Sequence, residues 1–104
     1  MSNTTETSNV ANQILNQLGG RRFIVMTGST NFVAVDDYTL RMKLRRNKSK
    51  ANYLYIKLNG LDLYDMKFVS ARGGKITTKK EVTGLYNDML KKTFEENTGF
   101  YTSL

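Results

Sequence analysis

Between residues 38 and 68, apolar and polar side chains alternate with a period of two. In residues 39–45 the apolar set is Leu40, Met42 and Leu44, interleaved with Thr39, Arg41, Lys43 and Arg45. In residues 53–58, Leu54, Ile56 and Leu58 alternate with Tyr53, Tyr55 and Lys57. In residues 62–69, Tyr64, Met66 and Phe68 alternate with Asp65 and Lys67. Such alternation predicts half-buried antiparallel strands, with one face in the core and the other in water. Asn59-Gly60 and Arg72-Gly73-Gly74-Lys75 read as hairpin turns between them. Residues 75–80 alternate more weakly around Ile76, and their lysines suit an edge strand that discourages further pairing.

The flanks change period. Val10, Ile14 and Leu18 recur every four residues with Ala11 and Leu15 beside them, which predicts an amphipathic helix. Ser8 or Asn9 offers its N-cap oxygen, and Gly19-Gly20 ends it. Residues 1–8, rich in Ser, Thr and Asn, are expected to be a disordered tail, leaving residues 9–104 as a single domain. The β-forming run Phe23-Ile24-Val25-Met26 predicts a strand, residues 27–31 a turn, and residues 32–35 a second short strand. Asp36-Asp37 turns the chain into the alternating region, and residues 46–51 form a polar loop long enough to be mobile. Over residues 83–97, Leu85, Tyr86, Met89, Leu90, Thr93 and Phe94 fall on one face of a second helix, ended at Asn97-Thr98-Gly99. Phe100, Tyr101 and Leu104 then pack back onto the core.

The expected fold is therefore α+β: an antiparallel sheet of five or six strands with an N-terminal and a C-terminal helix. Either the helices lie side by side on one face and leave the basic face open, or the sheet curls toward a barrel whose ends they plug.

Composition narrows the chemistry. A chain of 104 residues makes one domain with one core. It has no cysteine and no histidine, so disulfides, thiolate sites and histidine-based acid–base or metal chemistry are excluded. No apolar run reaches the ~20 residues of a membrane helix, and the start of the chain is polar with no leader-like run, so no membrane association and a cytoplasmic location are expected. Sixteen Lys and Arg against nine Asp and Glu leave a net charge of +7. Arg41, Lys43, Arg45, Arg46, Lys48 and Lys50 fall together with no acid among them, and Lys75, Lys79 and Lys80 form a second group. Such a balance attracts nucleic acid or an acidic protein.

The sharpest candidate site is the polar face of the alternating strands. Arg41, Lys43 and Arg45 sit on a strand expected to pair with that of Tyr53, Tyr55 and Lys57, and Lys67 extends the patch. Cations interleaved with aromatic rings are what single-strand binders use, the first for phosphates and the second for stacking on bases. Arg46 and Lys48 in the following loop are candidates for phosphate contact. Against this stands the plain reading that tyrosine and lysine on an exposed sheet serve β-propensity and solubility. Catalysis has little support. Asp36 and Asp37 are adjacent and point to opposite faces of a strand, Asp62 and Asp65 read as turn acids, and Thr27-Gly28-Ser29-Thr30 lacks the spacing of a phosphate-binding loop. The chain reads as a non-enzyme with no cofactor and no metal. The expected partner is single-stranded nucleic acid bound with little sequence preference. The alternative is an interaction module or inhibitor that binds an acidic protein.

Three blocks carry a resemblance: Leu18-Gly19-Gly20-Arg21-Arg22-Phe23-Ile24-Val25-Met26-Thr27-Gly28, then Tyr53-Leu54-Tyr55-Ile56-Lys57-Leu58-Asn59-Gly60-Leu61-Asp62-Leu63-Tyr64-Asp65, then Glu96-Asn97-Thr98-Gly99-Phe100-Tyr101-Thr102-Ser103-Leu104. Together they resemble a family of small uncharacterised proteins carried by phages and mobile elements. That resemblance implies an accessory factor in the host cell cytoplasm, acting on nucleic acid or on a host or phage protein. It assigns no functional residues.

Overall fold

Five strands joined by short connections form one antiparallel sheet, in the order in which they occur along the chain. The computed structural model describes residues 9–102. The tail of residues 1–8, the Ser8 cap and the packing of Leu104 lie outside the described residues. Helix α1 is Asn9–Leu18 and α2 is Arg21–Thr27. The strands are β1 (Thr30–Asp36), β2 (Thr39–Lys43), β3 (Tyr53–Leu58), β4 (Tyr64–Arg72) and β5 (Lys75–Leu85). A 3₁₀ turn, Asn87–Met89, leads into α3, Leu90–Thr98. β1 and β5 are the two edges, so the sheet is open and not a barrel.

Alternation places the core as the sequence predicts. Leu40, Met42, Leu54, Ile56, Met66 and Phe68 are buried on one face. Ala11, Ile14 and Leu18 of α1, Phe23 of α2, and Leu90 and Phe94 of α3 complete the same cluster. The helices thus share one face of the sheet. The rings of Phe23 and Phe94 meet edge to face, with centroids 4.9 Å apart. Gln13 of α1 donates to the Tyr64 hydroxyl at 3.1 Å, tying the helix to the centre of β4.

Two elements differ from the sequence expectation. The run Phe23 to Met26 is not a strand but the middle of α2. Four apolar residues in a row carry no period of their own, so helix and strand fit equally well. The structure chooses helix because Phe23 and Thr27, one turn apart, both reach the core, while Val25 is 73% exposed. Gly28, left-handed at φ 68°, closes the helix with its N–H on the Ile24 carbonyl at 2.9 Å. Losing that strand reduces "five or six" to five.

The second difference is the start of the last helix. Residues 83–85 are not helical but complete β5, where Leu85 faces Tyr64 and Val82 faces Met66. One extra residue on β5 makes a bulge there, with Gly84 at φ 70° and its N–H donated to Asp65 Oδ1 at 3.0 Å. Helical spacing in residues 85–94 is therefore shared between a strand end, a 3₁₀ turn and a helix. Leu85, Leu90, Thr93 and Phe94 are buried as expected, but Tyr86 is 62% and Met89 41% exposed.

At the β1–β2 turn, Asp36 Oδ1 accepts the Tyr38 N–H at 2.8 Å. That bond, then the Thr39 side chain and the nearby Lys57 charge, hold the Asp36 carboxyl below the ordinary carboxylate range. A depressed carboxyl contributes stability above its unfolded pKa and loses it as pH falls through the folded value. Asp36→Asn is therefore expected to lower the urea midpoint slightly at neutral pH and to match wild type in strong acid. Equal offsets at both pH values would show that the carboxylate charge plays no part.

Candidate nucleic-acid interface

Strand register decides which polar residues are neighbours. Arg41 of β2 lies opposite Tyr55 of β3, which lies opposite Lys67 of β4. In the next row Lys43 faces Tyr53, which faces Val69. In the row on the other side Thr39 faces Lys57, which faces Asp65. Rows are ~6.6 Å apart along the strands and columns ~4.8 Å apart across them. Six of the predicted residues (Arg41, Lys43, Tyr53, Tyr55, Lys57 and Lys67) therefore form one grid on the three central strands.

The grid faces away from the helices. A shallow cleft of about 420 Å³ on this side is lined only by strand residues, among them Tyr55, Lys57, Lys67 and Thr78. Lys43, Lys57 and Lys67 are exposed, and Tyr53 and Tyr55 are half-buried, each offering ring surface while remaining fixed. The Arg41 guanidinium carbon lies 5.6 Å from the Tyr53 ring centroid, a cation–π contact that holds both side chains in place. Arg41 Nε is shut from solvent with no hydrogen-bond partner, so the charge is presented by the outer nitrogens.

Acids bound the patch on one side. Lys67 is followed by Glu81 across the β4–β5 pair, and Asp65 lines the same cleft. Asp65 also accepts from Asn59 Nδ2 at 3.2 Å and from the Gly84 N–H, so its carboxylate is spent on a turn and a bulge. The positive surface is thus centred on β2 and β3. Among the described residues no group of three or more acids, as a metal site would need, is present.

Three predicted residues are elsewhere. β2 ends at Lys43, and Arg45 does not continue its polar face. Arg45 Nε donates to the Thr27 carbonyl at 2.9 Å, and its guanidinium lies 4.9 Å from the Phe100 ring centroid. It clasps the end of α2 to the chain that follows α3, a structural role. Gly28 sits under this clasp: a Cβ there would lie 2.7 Å from Arg45 Cδ, on a backbone that disfavours side chains. Gly28→Ala is expected to cost ~2–3 kcal/mol, from left-handed strain and the displaced hydrogen bond. An unchanged denaturation midpoint would show that Arg45 is free to move.

Arg46 and Lys48 belong to the loop between β2 and β3, beyond the grid. Instead of an open, mobile stretch, that loop is laced by Asn47. Asn47 Nδ2 donates to the carbonyls of Arg45 at 2.7 Å and Ala51 at 2.8 Å, and its Oδ1 accepts the Ser49 N–H at 2.9 Å and the Ser49 hydroxyl. The Lys48 N–H is spent on the Thr98 carbonyl at the end of α3, at 3.1 Å. Reasoning along the chain overlooked Arg72, which comes beside this loop only through the β3–β4 pairing. Asn52 and Ala71 exchange hydrogen bonds at 2.8 and 3.0 Å, bringing the two segments together.

Near the C-terminus, Thr102 is buried and gives both its N–H and hydroxyl to Glu95 Oε2, each at 2.9 Å. Phe100 packs on the core, whereas Tyr101 is exposed. No helix among the described residues is long and apolar enough to cross a membrane. No family model, no curated protein and no solved structure matches this chain, so what the interface does must come from its own residues and geometry.

Proposed function

We propose that this protein is a non-catalytic binder of single-stranded nucleic acid, with little sequence preference. The observation that carries the reading is the grid: Arg41, Tyr55 and Lys67 in one cross-strand row, with Lys43 and Tyr53 in the next, on a sheet face no helix covers. Tyr53 and Tyr55, two residues apart on β3, point the same way at ~6.6 Å spacing. That spacing is comparable with the separation of successive bases in an extended strand, so each ring can take one base. Arg41, Lys43, Lys57 and Lys67 surround the rings and can meet the phosphates between those bases. Stacking on π faces and contact with backbone charge are both indifferent to base identity. A duplex keeps its bases stacked inside and offers the tyrosines nothing.

The test is fluorescence anisotropy of labelled single- and double-stranded oligonucleotides at several salt concentrations. Single strands are expected to bind more tightly. Log K should fall with log salt by about 0.7 per neutralised phosphate, hence by about 2 or more if three or more cations are engaged. No binding at low salt, where charge attraction is least screened, would overturn the reading. Pull-down from nuclease-treated lysate distinguishes the other candidate: an acidic protein partner survives nuclease, and a nucleic-acid bridge does not.

A further inference from the structure

Arg46, Lys50 and Arg72, all exposed, converge on a second concavity, at the end of the sheet where β2 and β3 are joined. It encloses about 570 Å³ and is lined by Leu44, Ala51, Asn47 and Asn52 together with these cations and Arg45. We propose that this notch binds a phosphate group.

Four features support it. The lining holds four basic residues and no acid, so the positive charge is uncompensated within the notch. A single carboxylate would leave most of that charge unmatched, whereas a phosphate brings up to two charges and three acceptor oxygens. Arginine forks match those oxygens in pairs. The wall is also built before any ligand arrives. The Asn47 bonds fix the loop, the Asn52–Ala71 pair joins it to β4, and Arg45 is anchored on the Thr27 carbonyl. Finally, Lys50 is held at φ 69°, a conformation that disfavours side chains, by its N–H on the Asn47 carbonyl at 3.1 Å. Glycine would fit that position without strain, yet the chain carries a lysine there.

The notch lies past the Lys43–Tyr53 row, and Asn52 is three residues from Tyr55 along β3, ~10 Å in extended chain. The same chemistry can therefore come from two sources: the backbone of a strand lying on the grid, or a terminal or free phosphomonoester. The phosphate site itself does not rest on the stacking reading.

The experiment follows backbone amide shifts in wild type as inorganic phosphate is titrated at constant ionic strength against chloride. Saturable shifts are expected in residues 46–52 and 71–73. In Arg46→Gln/Arg72→Gln and, separately, in Lys50→Gly, the phosphate dissociation constant should rise about tenfold or more, the loss of one charge-assisted contact. Lys50→Gly keeps the turn with an unstrained residue, so its weaker binding cannot be attributed to unfolding. No saturable shift in wild type, or equal shifts in all three proteins, overturns the proposal. Oligonucleotides with and without a 5′-phosphate then identify the source. Equal weakening in the arginine variant supports the site with backbone phosphate as its ligand. Weakening confined to the 5′-phosphorylated strand supports it with a terminal group. Phosphate binding with unchanged oligonucleotide affinity supports it with a free phosphorylated ligand. Tyr53 and Tyr55 variants should leave the phosphate titration unaltered, so failure of the grid and failure of the notch are separable.

Discussion

Phe94→Ala is expected to destabilise the protein by ~3–5 kcal/mol, the cost of removing a fully buried aromatic ring and leaving a cavity behind. Phe94 is completely buried and edge-on to Phe23, which is also completely buried. This pair is where α2 and α3 meet above the sheet. Neither helix is long, at seven and nine residues, and helices this short do not persist without packing. The cavity therefore cannot close without moving one of them. A domain of this size holds ~5–15 kcal/mol in total, so a large share of it rests on one ring. Urea unfolding of the variant should show a much lower midpoint with little change in slope. A shift worth under ~1 kcal/mol would mean that the helices repack freely, and that the Phe23–Phe94 contact is not what holds α2 against the sheet.

Tyr53→Ala and Tyr55→Ala are each expected to weaken binding of a single-stranded oligonucleotide by ~1–3 kcal/mol, about one lost stack apiece. Tyr55 lies at the centre of the grid between Arg41 and Lys67, and its loss removes a stack without removing a charge. The slope of log K against log salt should therefore stay near that of wild type in Tyr55→Ala. Tyr53 also supports Arg41 through its ring face, so Tyr53→Ala frees that guanidinium and should add a smaller loss to the stack. Lys67→Ala gives the complementary pattern: a modest loss at low salt and a shallower slope. Because both tyrosines are only half-buried and on the face opposite the core, folding should tolerate their loss. If both tyrosine variants bind like wild type, stacking is not the mechanism, and the tyrosines serve the sheet alone.

The two faces of the sheet differ in how they could be foreseen. Leu40, Met42, Leu54, Ile56, Met66 and Phe68 were legible because a strand puts alternate side chains on opposite sides whatever else the chain does. The same rule put Arg41, Lys43, Tyr53, Tyr55, Lys57 and Lys67 together on the other side, since consecutive strands joined by short connections usually pair. It failed at Arg45, one step beyond the last β2 residue, because a period carries no information about where a strand stops. Arg45 went to the Thr27 carbonyl, an acceptor at the end of a helix the sequence reading took for a strand. The misread helix and the misplaced arginine are thus one error. Arg72 was overlooked for a different reason: only cross-strand pairing brings it beside the loop of residues 44–52.

By itself, then, the sequence determined the α+β class, the strands at the centre of the sheet, the buried set, the first helix and a net charge that excludes no anionic partner. These follow from local periodicity and composition, which each segment carries alone. The tertiary structure alone decided that residues 23–26 are helical, that β5 runs through Gly84 to Leu85, that the helices share one face and leave the sheet open, and which cations converge on the notch. Each of these was a choice between locally equivalent conformations. Contacts distant in sequence settled them: Phe23 on Phe94, Gly84 on Asp65, Asn52 on Ala71.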